Sequence, residues 1–388
     1  MTANPAPPIR VFHLQPGLAA QELDGLPEAP PARGYYWIAC TRTAFGAELA
    51  RLQAALQRLT GQQLVDLHVS DLLNAQLPSH YDYTSQYDLL VVRRLAQAQA
   101  PAAAPLPGTR GAPPKLRRID TSPVGFAAFD ELLLSVHPED CGVRDGYAAR
   151  LLAPAGGSGT PASAAEAVVR ELRSGPVPGT RLPPSPADLM LRVVNHIVDS
   201  YLDLRREFSR QLDHWQTELL RPRSRFANWG ALMQARMALH QLDEICEDQR
   251  TAVRAWLDAL EGWDIPDDAA ALRELDLLKV RSRDVLEHIE RVVTHVRRLE
   301  HSTETAVQMH FSVQSNRTND IMRTLTALTA VFLPLNLIAG IFGMNFDFLP
   351  IVHRKEGFWW AMGGMAAIGI ALTLLFWRKR YLARSSQD

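Results

Sequence analysis

The sequence TLTALTAVFLPLNLIAGIFGMNF, from Thr324 to Phe346, decides the class of this protein. It contains no charged residue over 23 positions, and Arg323 and Asp347 bound it. A helix needs about 20 mainly apolar residues to cross about 30 Å of hydrocarbon. Core helices of soluble proteins rarely stay uncharged for so long, so the stretch predicts a membrane-spanning helix at 324–346.

A second charge-free run, GFWWAMGGMAAIGIALTLLFW, predicts another span at 357–377. The ten-residue link at 347–356 is short, so the two helices form an antiparallel hairpin whose outer ends share one side of the membrane. Basic residues flank the hairpin at Arg317, Arg323, Arg378, Lys379, Arg380 and Arg384. The positive-inside rule then predicts an inner-membrane protein with cytoplasmic termini, an extracytoplasmic loop at 347–356 and a basic cytoplasmic tail at 378–388.

The overall composition argues against several other classes of function. Lys and Arg total 41 against 42 Asp and Glu, so no net positive charge favours binding to nucleic acid. The isolated cysteines Cys40, Cys141 and Cys246 predict neither a disulfide framework nor a CxxC metal or redox site. Because no catalytic triad order, paired-carboxylate signature or glycine-rich phosphate loop is found, we predict no enzymatic activity and no cofactor.

Residues 1–184 are expected to form a cytoplasmic α+β domain, since the N-terminus lacks the apolar core of a signal peptide. The amphipathic stretch AELARLQAALQRL predicts a helix within this domain. Apolar runs predict strands at YYWIAC from Tyr35, LVDLHV from Leu64, YDLLVV from Tyr87, VGFAAF from Val124 and ELLLSV from Glu131. The segment at 96–114, rich in Ala and Pro, is typical of a flexible insertion.

The pattern becomes helical after Ser185. Ser185 supplies an N-cap, Pro186 suits the first helical position, and Asp188 follows as an early acid. We expect a helical hairpin at 185–265 and a stalk helix at 266–323. Neither proline nor glycine occurs between Pro266 and Pro334, so the stalk is predicted to continue into the first span as one helix.

One face of the first predicted span is partly polar. Its positions advance by three or four residues through Asn319, Met322, Thr326, Thr329, Leu333, Asn336, Gly340 and Gly343. Asn336 would be costly against hydrocarbon, so it should face another helix or a water-filled path. A hydrogen bond between helices is the alternative interpretation. Since two spans cannot enclose a pore, a path for ions requires several copies of the chain around an axis.

Rings of Asn319, Asn336 and Asn345 would suit a divalent cation held through its bound water. Amide oxygens are neutral acceptors, and Mg²⁺ gives up its waters reluctantly. Bulky side chains between the polar rings, at Met322, Leu325 and Leu333, would form apolar constrictions. We therefore predict selection by hydrated size.

The GMN tripeptide at 343–345, at the outer end of the first span, resembles the signature of the CorA family of divalent-cation transporters. The TND tripeptide at 318–320, Pro334 and the basic tail strengthen this resemblance, which is strong over 315–381. It implies a funnel-shaped homopentamer that passes hydrated Mg²⁺, and also Co²⁺ or Ni²⁺, inward without ATP. It also implies a selectivity mouth of Gly343, Met344 and Asn345. The implied pore lining comprises Asn319, Met322, Leu325, Thr326, Thr329, Leu333, Asn336 and Gly340.

Two alternatives remain open from the sequence. A related branch of the superfamily, the ZntB-type transporters, moves Zn²⁺ in a proton-coupled manner. Four histidines precede the span, at His288, His295, His301 and His310. Their spacings do not place ligands at i and i+4, so surface histidines are expected in preference to a zinc site. The second alternative is a two-pass membrane sensor or scaffold without ion flow.

Overall fold

A computed structural model describes residues 7–15, 18–96, 119–140, 142–152, 182–219, 229–263, 267–344 and 355–378. Asn345 and most of the predicted insertion at 96–114, loop at 347–356 and tail at 378–388 lie outside these residues. The chain divides into two compact units. Unit 1 comprises Met1–Thr217 with Arg225–Thr303, and unit 2 comprises Glu218–Ser224 with Glu304–Asp388.

Unit 1 contains a seven-stranded sheet. Its strands are β1 (Ile9–Leu14), β2 (Gln21–Leu23), β3 (Tyr35–Thr41), β4 (His80–Tyr83), β5 (Asp88–Leu95), β6 (Thr121–Ala128) and β7 (Leu132–His137). They lie in the order β2-β1-β3-β7-β6-β5-β4. Neighbours are antiparallel except β3 and β7, which are parallel and pair Tyr36 with Leu132. Four of the five predicted strands are therefore confirmed.

Three helices cover one face of the sheet: α1 (Arg42–Ala47), α2 (Leu49–Thr60) and α3 (Asp66–Leu73). Thr41 caps α1, because the Ala44 N–H donates to its Oγ1 at 3.1 Å. The apolar stripe of α2, which includes Leu52 and Leu56, packs with Ile38 of β3 in one core cluster. The predicted amphipathic helix is thus present, and its apolar stripe is what attaches it to the sheet.

The strand predicted for LVDLHV from Leu64 is wrong, because Asp66 begins α3. The buried side chains of α3 are His68, Val69 and Leu72, which share one helical face. Leu67 is exposed, so the segment lacks the alternating burial of a strand. Short apolar runs do not distinguish a strand from a helix when only their composition is known.

The opposite face of the sheet is covered by α4 (Gly142–Leu152) and by helices of the bundle described below. Trp37 stacks on Phe12 with ring centroids 4.8 Å apart and meets the Tyr147 ring of α4 edge-on at 6.2 Å. Its indole N–H donates to Ser135 Oγ at 2.8 Å. Buried side chains on both faces explain why β3 is apolar throughout and does not alternate.

A bundle follows, formed by α5 (Pro186–Leu219), α6 (Trp229–Glu261) and the first part of α7 (Ala269–Phe342). Trp256 of α6 donates its indole N–H to Ser282 Oγ of α7 at 3.0 Å. The Tyr201 hydroxyl of α5 donates to the carbonyl oxygen of Arg93 on β5 at 2.8 Å, which fixes the bundle to the sheet. As predicted, α7 runs without interruption through Pro334.

Unit 2 contains the remainder of α7 and helix α8 (Lys355–Arg378). Both helices include a segment long and apolar enough to cross a membrane. Only 6% of that segment in α7 and none of it in α8 is buried, so neither is the core helix of a soluble domain. The structure therefore contains two apolar helices near its C-terminus whose exposed apolar side chains suit a lipid environment.

Candidate functional site

The apolar segment of α7 has one covered face. Ala327 is buried, and the Leu335 Cδ1 atom lies 3.8 Å from the position that a Cβ on Gly369 of α8 would occupy. This face comprises Ala327, Ala330, Val331, Pro334, Leu335, Ile338 and Phe342, which are all buried or half-buried. Their spacing, mostly of three or four residues, is that of a single helical stripe, which packs within unit 2.

The residues predicted to line a pore occupy the opposite face of α7. All are exposed in the single chain, and Leu333 retains 68% of its accessible surface. At 3.6 residues per turn, their mean direction lies about 160° from that of the covered face. They are Asn319, Met322, Leu325, Thr326, Thr329, Leu333, Asn336 and Gly340. The structure therefore brings these eight residues onto one uncovered surface, which we call the polar face.

Two threonine hydroxyls on the polar face are held by the helix backbone. Thr326 Oγ1 donates to the Met322 carbonyl at 2.8 Å, and Thr329 Oγ1 donates to the Leu325 carbonyl at 2.9 Å. A hydroxyl has a single proton to donate, so each oxygen keeps its lone pairs as acceptors. These positions can accept hydrogen bonds from water that hydrates a cation.

The polar face carries no formal charge within the apolar segment. The nearest ion pair lies before it, where Arg323 is 3.8 Å from Asp320 and both side chains are 65% exposed. No Asp, Glu, Lys or Arg occurs between Arg323 and Asp347. Any cation beside this face would therefore be stabilised by neutral dipoles, and the amide of Asn336 is the largest of them.

The end of α7 lies at the predicted selectivity mouth. The Gly343 N–H donates to the Ala339 carbonyl at 2.9 Å, and the Met344 N–H donates to the Ile341 carbonyl at 3.3 Å, so the last turn tightens. Gly343 and Met344 are both exposed. Asn345 is outside the described residues, and its role stays a prediction.

The stalk histidines occupy separate environments. His295 Nε2 lies 2.7 Å from Ser209 Oγ, whereas His310 donates from Nδ1 to the Leu219 carbonyl at 2.9 Å. His288 lies 3.8 Å from carboxylate oxygens of both Asp199 and Asp284. Within the part of the chain that the structure describes, no group of three or more His, Cys, Asp or Glu could hold a metal ion.

These observations define a membrane protein with an α+β unit, a helical bundle and an uncovered polar face on an apolar helix. The family described as "CorA-like Mg2+ transporter protein" matches residues 34–380, and the chain belongs to this family. The resemblance inferred from the GMN tripeptide is thereby confirmed.

Curated relatives match shorter parts of the chain. The cobalt/magnesium transport protein CorA of Thermotoga maritima is 26% identical over 195 residues, which are 50% of this chain and 52% of that protein. The magnesium transport protein CorA of Haemophilus influenzae is 32% identical over 102 residues, which are 26% and 32% of the two chains. The chain thus spans about a third to a half of the length of these relatives.

Solved structures resemble the chain over nearly its full length. The CorA magnesium transporter from Methanocaldococcus jannaschii has a TM-score of 0.63 and 16% identity, with coverage of 95% of this chain and 97% of that one. The full-length CmaX protein has a TM-score of 0.55 and 18% identity, with coverage of 96% and 97%. At these identities the likeness is one of fold. It confirms the predicted α+β domain, long helix and two apolar C-terminal helices.

Proposed function

We propose that this protein is a transporter of divalent metal cations and that several copies, five by the family resemblance, form its pore. The observation that carries the proposal is the polar face of α7, which α8 of the same chain leaves uncovered. Polar side chains facing hydrocarbon are costly. Copies arranged around an axis would turn these faces toward a shared, water-filled path.

The chemistry of the polar face suits a hydrated ion. Thr326 and Thr329 offer oxygen lone pairs, and Asn319 and Asn336 add amide oxygens, all without formal charge. Mg²⁺ keeps several of its waters when bound, so such acceptors would hold the hydrated ion through its shell. The printed name of the Thermotoga relative, a cobalt/magnesium transport protein, supports Mg²⁺ and Co²⁺ as substrates. Ni²⁺ is a third substrate by the same reasoning.

The proposed pore is divided along the helix. Gly343, Met344 and Asn345 form the outer mouth, while Met322, Leu325 and Leu333 form apolar constrictions that open or dewet. Asn319 lies at the cytoplasmic end. The basic residues around the two spans support cytoplasmic termini and an inner-membrane location. Ions then enter the cytoplasm down the membrane potential, and no ATP is consumed.

The experiment is uptake of Mg²⁺, Co²⁺, Ni²⁺ and Zn²⁺ into proteoliposomes that contain the full chain, with and without a proton gradient. Thr329→Val removes an acceptor from the polar face and should slow Mg²⁺ uptake about fivefold or more, since one net hydrogen bond is worth about 1 kcal/mol. Asn345→Ala should slow it as well. Thr324→Val is the matched control.

Thr324 also donates its hydroxyl to a carbonyl four residues earlier, that of Asp320, at 2.8 Å, but it lies away from the polar face. Thr324→Val therefore loses the same local hydrogen bond and should leave uptake unchanged. Equal losses in Thr324→Val and Thr329→Val would contradict the assigned face. Strict dependence on a proton gradient with preference for Zn²⁺ would favour the proton-coupled alternative, and no uptake of any ion would favour a sensor or scaffold.

A further inference from the structure

Unit 1 contains an open cavity of about 350 Å³ on the bundle, between α5 and α7. Small-molecule sites in proteins begin at about this size. Charged and polar side chains line it: Arg205, Glu287, Glu290, Arg291, Thr294, His295 and Arg298. The cavity belongs to neither the polar face nor the apolar segments of unit 2.

The charges in the cavity do not cancel. Arg291 pairs with Glu287 at 2.6 Å, and Glu290 lies 4.0 Å from Arg254. Among the described residues, the guanidinium groups of Arg205 and Arg298 make no hydrogen bond and no ion pair. The lining contains three arginines and two glutamates, so the cavity carries a net positive charge, with one unpaired arginine on each helix.

His295 lines the same cavity as both arginines. Its pKa is lowered by burial first and then by the charges of Arg205 and Arg298, while Asp213 acts in the opposite direction. Its Nε2 is already occupied by Ser209 Oγ at 2.7 Å. The ring adds no positive charge near neutral pH, so an anion would be bound by the two guanidinium groups, with the neighbouring Thr294 hydroxyl as a further donor.

We propose that this cavity binds a soluble, phosphate-bearing anion, bridged between Arg205 of α5 and Arg298 of α7. Guanidinium groups present paired N–H donors that match phosphate oxygens and bind them more strongly than neutral donors do. Arg298 lies 26 residues before Thr324, where the charge-free run begins, which favours a soluble anion over a lipid headgroup. Such a ligand would tie α5 to α7.

The test is isothermal titration calorimetry, in which pyrophosphate is added to the full chain in phosphatidylcholine nanodiscs. The buffer contains neither metal ions nor a chelator. Saturable binding at one site per chain is expected. Arg205→Gln and Arg298→Gln should each weaken binding about tenfold or more, which is about 1.4 kcal/mol or more, because each variant loses charge-assisted hydrogen bonds to phosphate oxygens. Pyrophosphate should also raise the melting temperature of the native chain, but not that of the double variant.

Arg210→Gln on α5 and Arg273→Gln on α7 are the controls, since both lie outside the cavity. They should retain the native affinity. Equally weakened pyrophosphate binding in the control variants would show that binding depends only on the net charge of the protein, and it would overturn the proposal. Absence of pyrophosphate binding would also overturn the proposal. If the chain bound vesicles containing phosphatidylglycerol but not pyrophosphate, the ligand would be a lipid headgroup and the proposal would again be overturned. Ion uptake is a separate measurement, so failure here leaves the proposed transport function untouched.

Discussion

At the scale of single residues, His137 shows what burial does to a titratable group. It is the last residue of β7 and is fully buried, with Nε2 2.9 Å from Ser135 Oγ. Burial lowers its pKa to about 3, and the charges of Arg144, Arg94 and Arg42 contribute to the same shift. The folded protein therefore holds this imidazole in its neutral form throughout the physiological range.

We expect acid to destabilise the fold through His137. The unfolded chain takes up this proton near pH 6.5, whereas the folded chain does so only near its lowered pKa of about 3. Stability should therefore fall from about pH 6.5 downward, by up to about 1.4 kcal/mol per pH unit from this group. Denaturant unfolding of the full chain between pH 7 and pH 5 measures the slope.

His137→Phe should flatten that slope whatever its effect on stability at pH 7, because it removes the titrating group. His240→Phe, at an exposed position, is the control and should keep the native slope. An unchanged acid slope in His137→Phe would show that other groups cause the acid sensitivity.

At the scale of elements, Asp188 joins the start of α5 to α7. The sequence pattern predicts an early acid that serves the helix N-terminus, and the Asp188 N–H does lie 3.4 Å from Ser185 Oγ. The carboxylate, however, is fully buried and pairs with Arg192 at 3.0 Å and with Arg281 of α7 at 2.6 Å. Burial raises the pKa of Asp188, and the two arginines oppose that rise.

Asp188→Ala should destabilise unit 1 by about 3–5 kcal/mol, because it leaves the guanidinium groups that pair with a buried carboxylate uncompensated. Asp203→Ala is the matched control on the same helix. Asp203 pairs with Arg206 at 3.0 Å, but both side chains are exposed, so the cost should stay below about 1 kcal/mol. Denaturant unfolding of both variants tests this, and equal costs would contradict the structural role of Asp188.

At the scale of the whole molecule, the single chain leaves its polar face uncovered. The proposed pore therefore depends on how many copies of the chain assemble. We expect native mass spectrometry in lipid nanodiscs to show five copies of the 43.2 kDa chain. Thr329→Cys should form cross-linked dimers between copies on oxidation, because the proposed pore brings the polar faces together at its axis. Thr324→Cys, on the other side of the helix, should not.

A Cys141→Ser chain serves as the background for that experiment, because Cys40 and Cys246 are buried and Cys141 lies outside the described residues. A monomer in lipid, or cross-linking at position 324 and none at 329, would contradict an assembly around the polar face. The same data would then count against the proposed pore.

The sequence by itself determined the two apolar helices, the uninterrupted α7 and the periodic polar face. These features are local, because they depend only on the length of charge-free runs and on the spacing of residues along one helix. Contacts with distant parts of the chain do not alter either property. Strands β3, β5, β6 and β7 were predictable for a similar reason, since each is a short run of apolar residues bounded by polar ones.

Only the tertiary structure decided which side of α7 is covered, where Asp188 finds its partners and that Arg205 and Arg298 line one cavity. It also decided that LVDLHV enters helix α3 at Asp66 and that β1, β2 and β4 join the sheet. These outcomes depend on contacts between residues far apart in the chain, such as Asp188 with Arg281. Packing of distant segments selects among local conformations of similar free energy, and no local pattern records that choice.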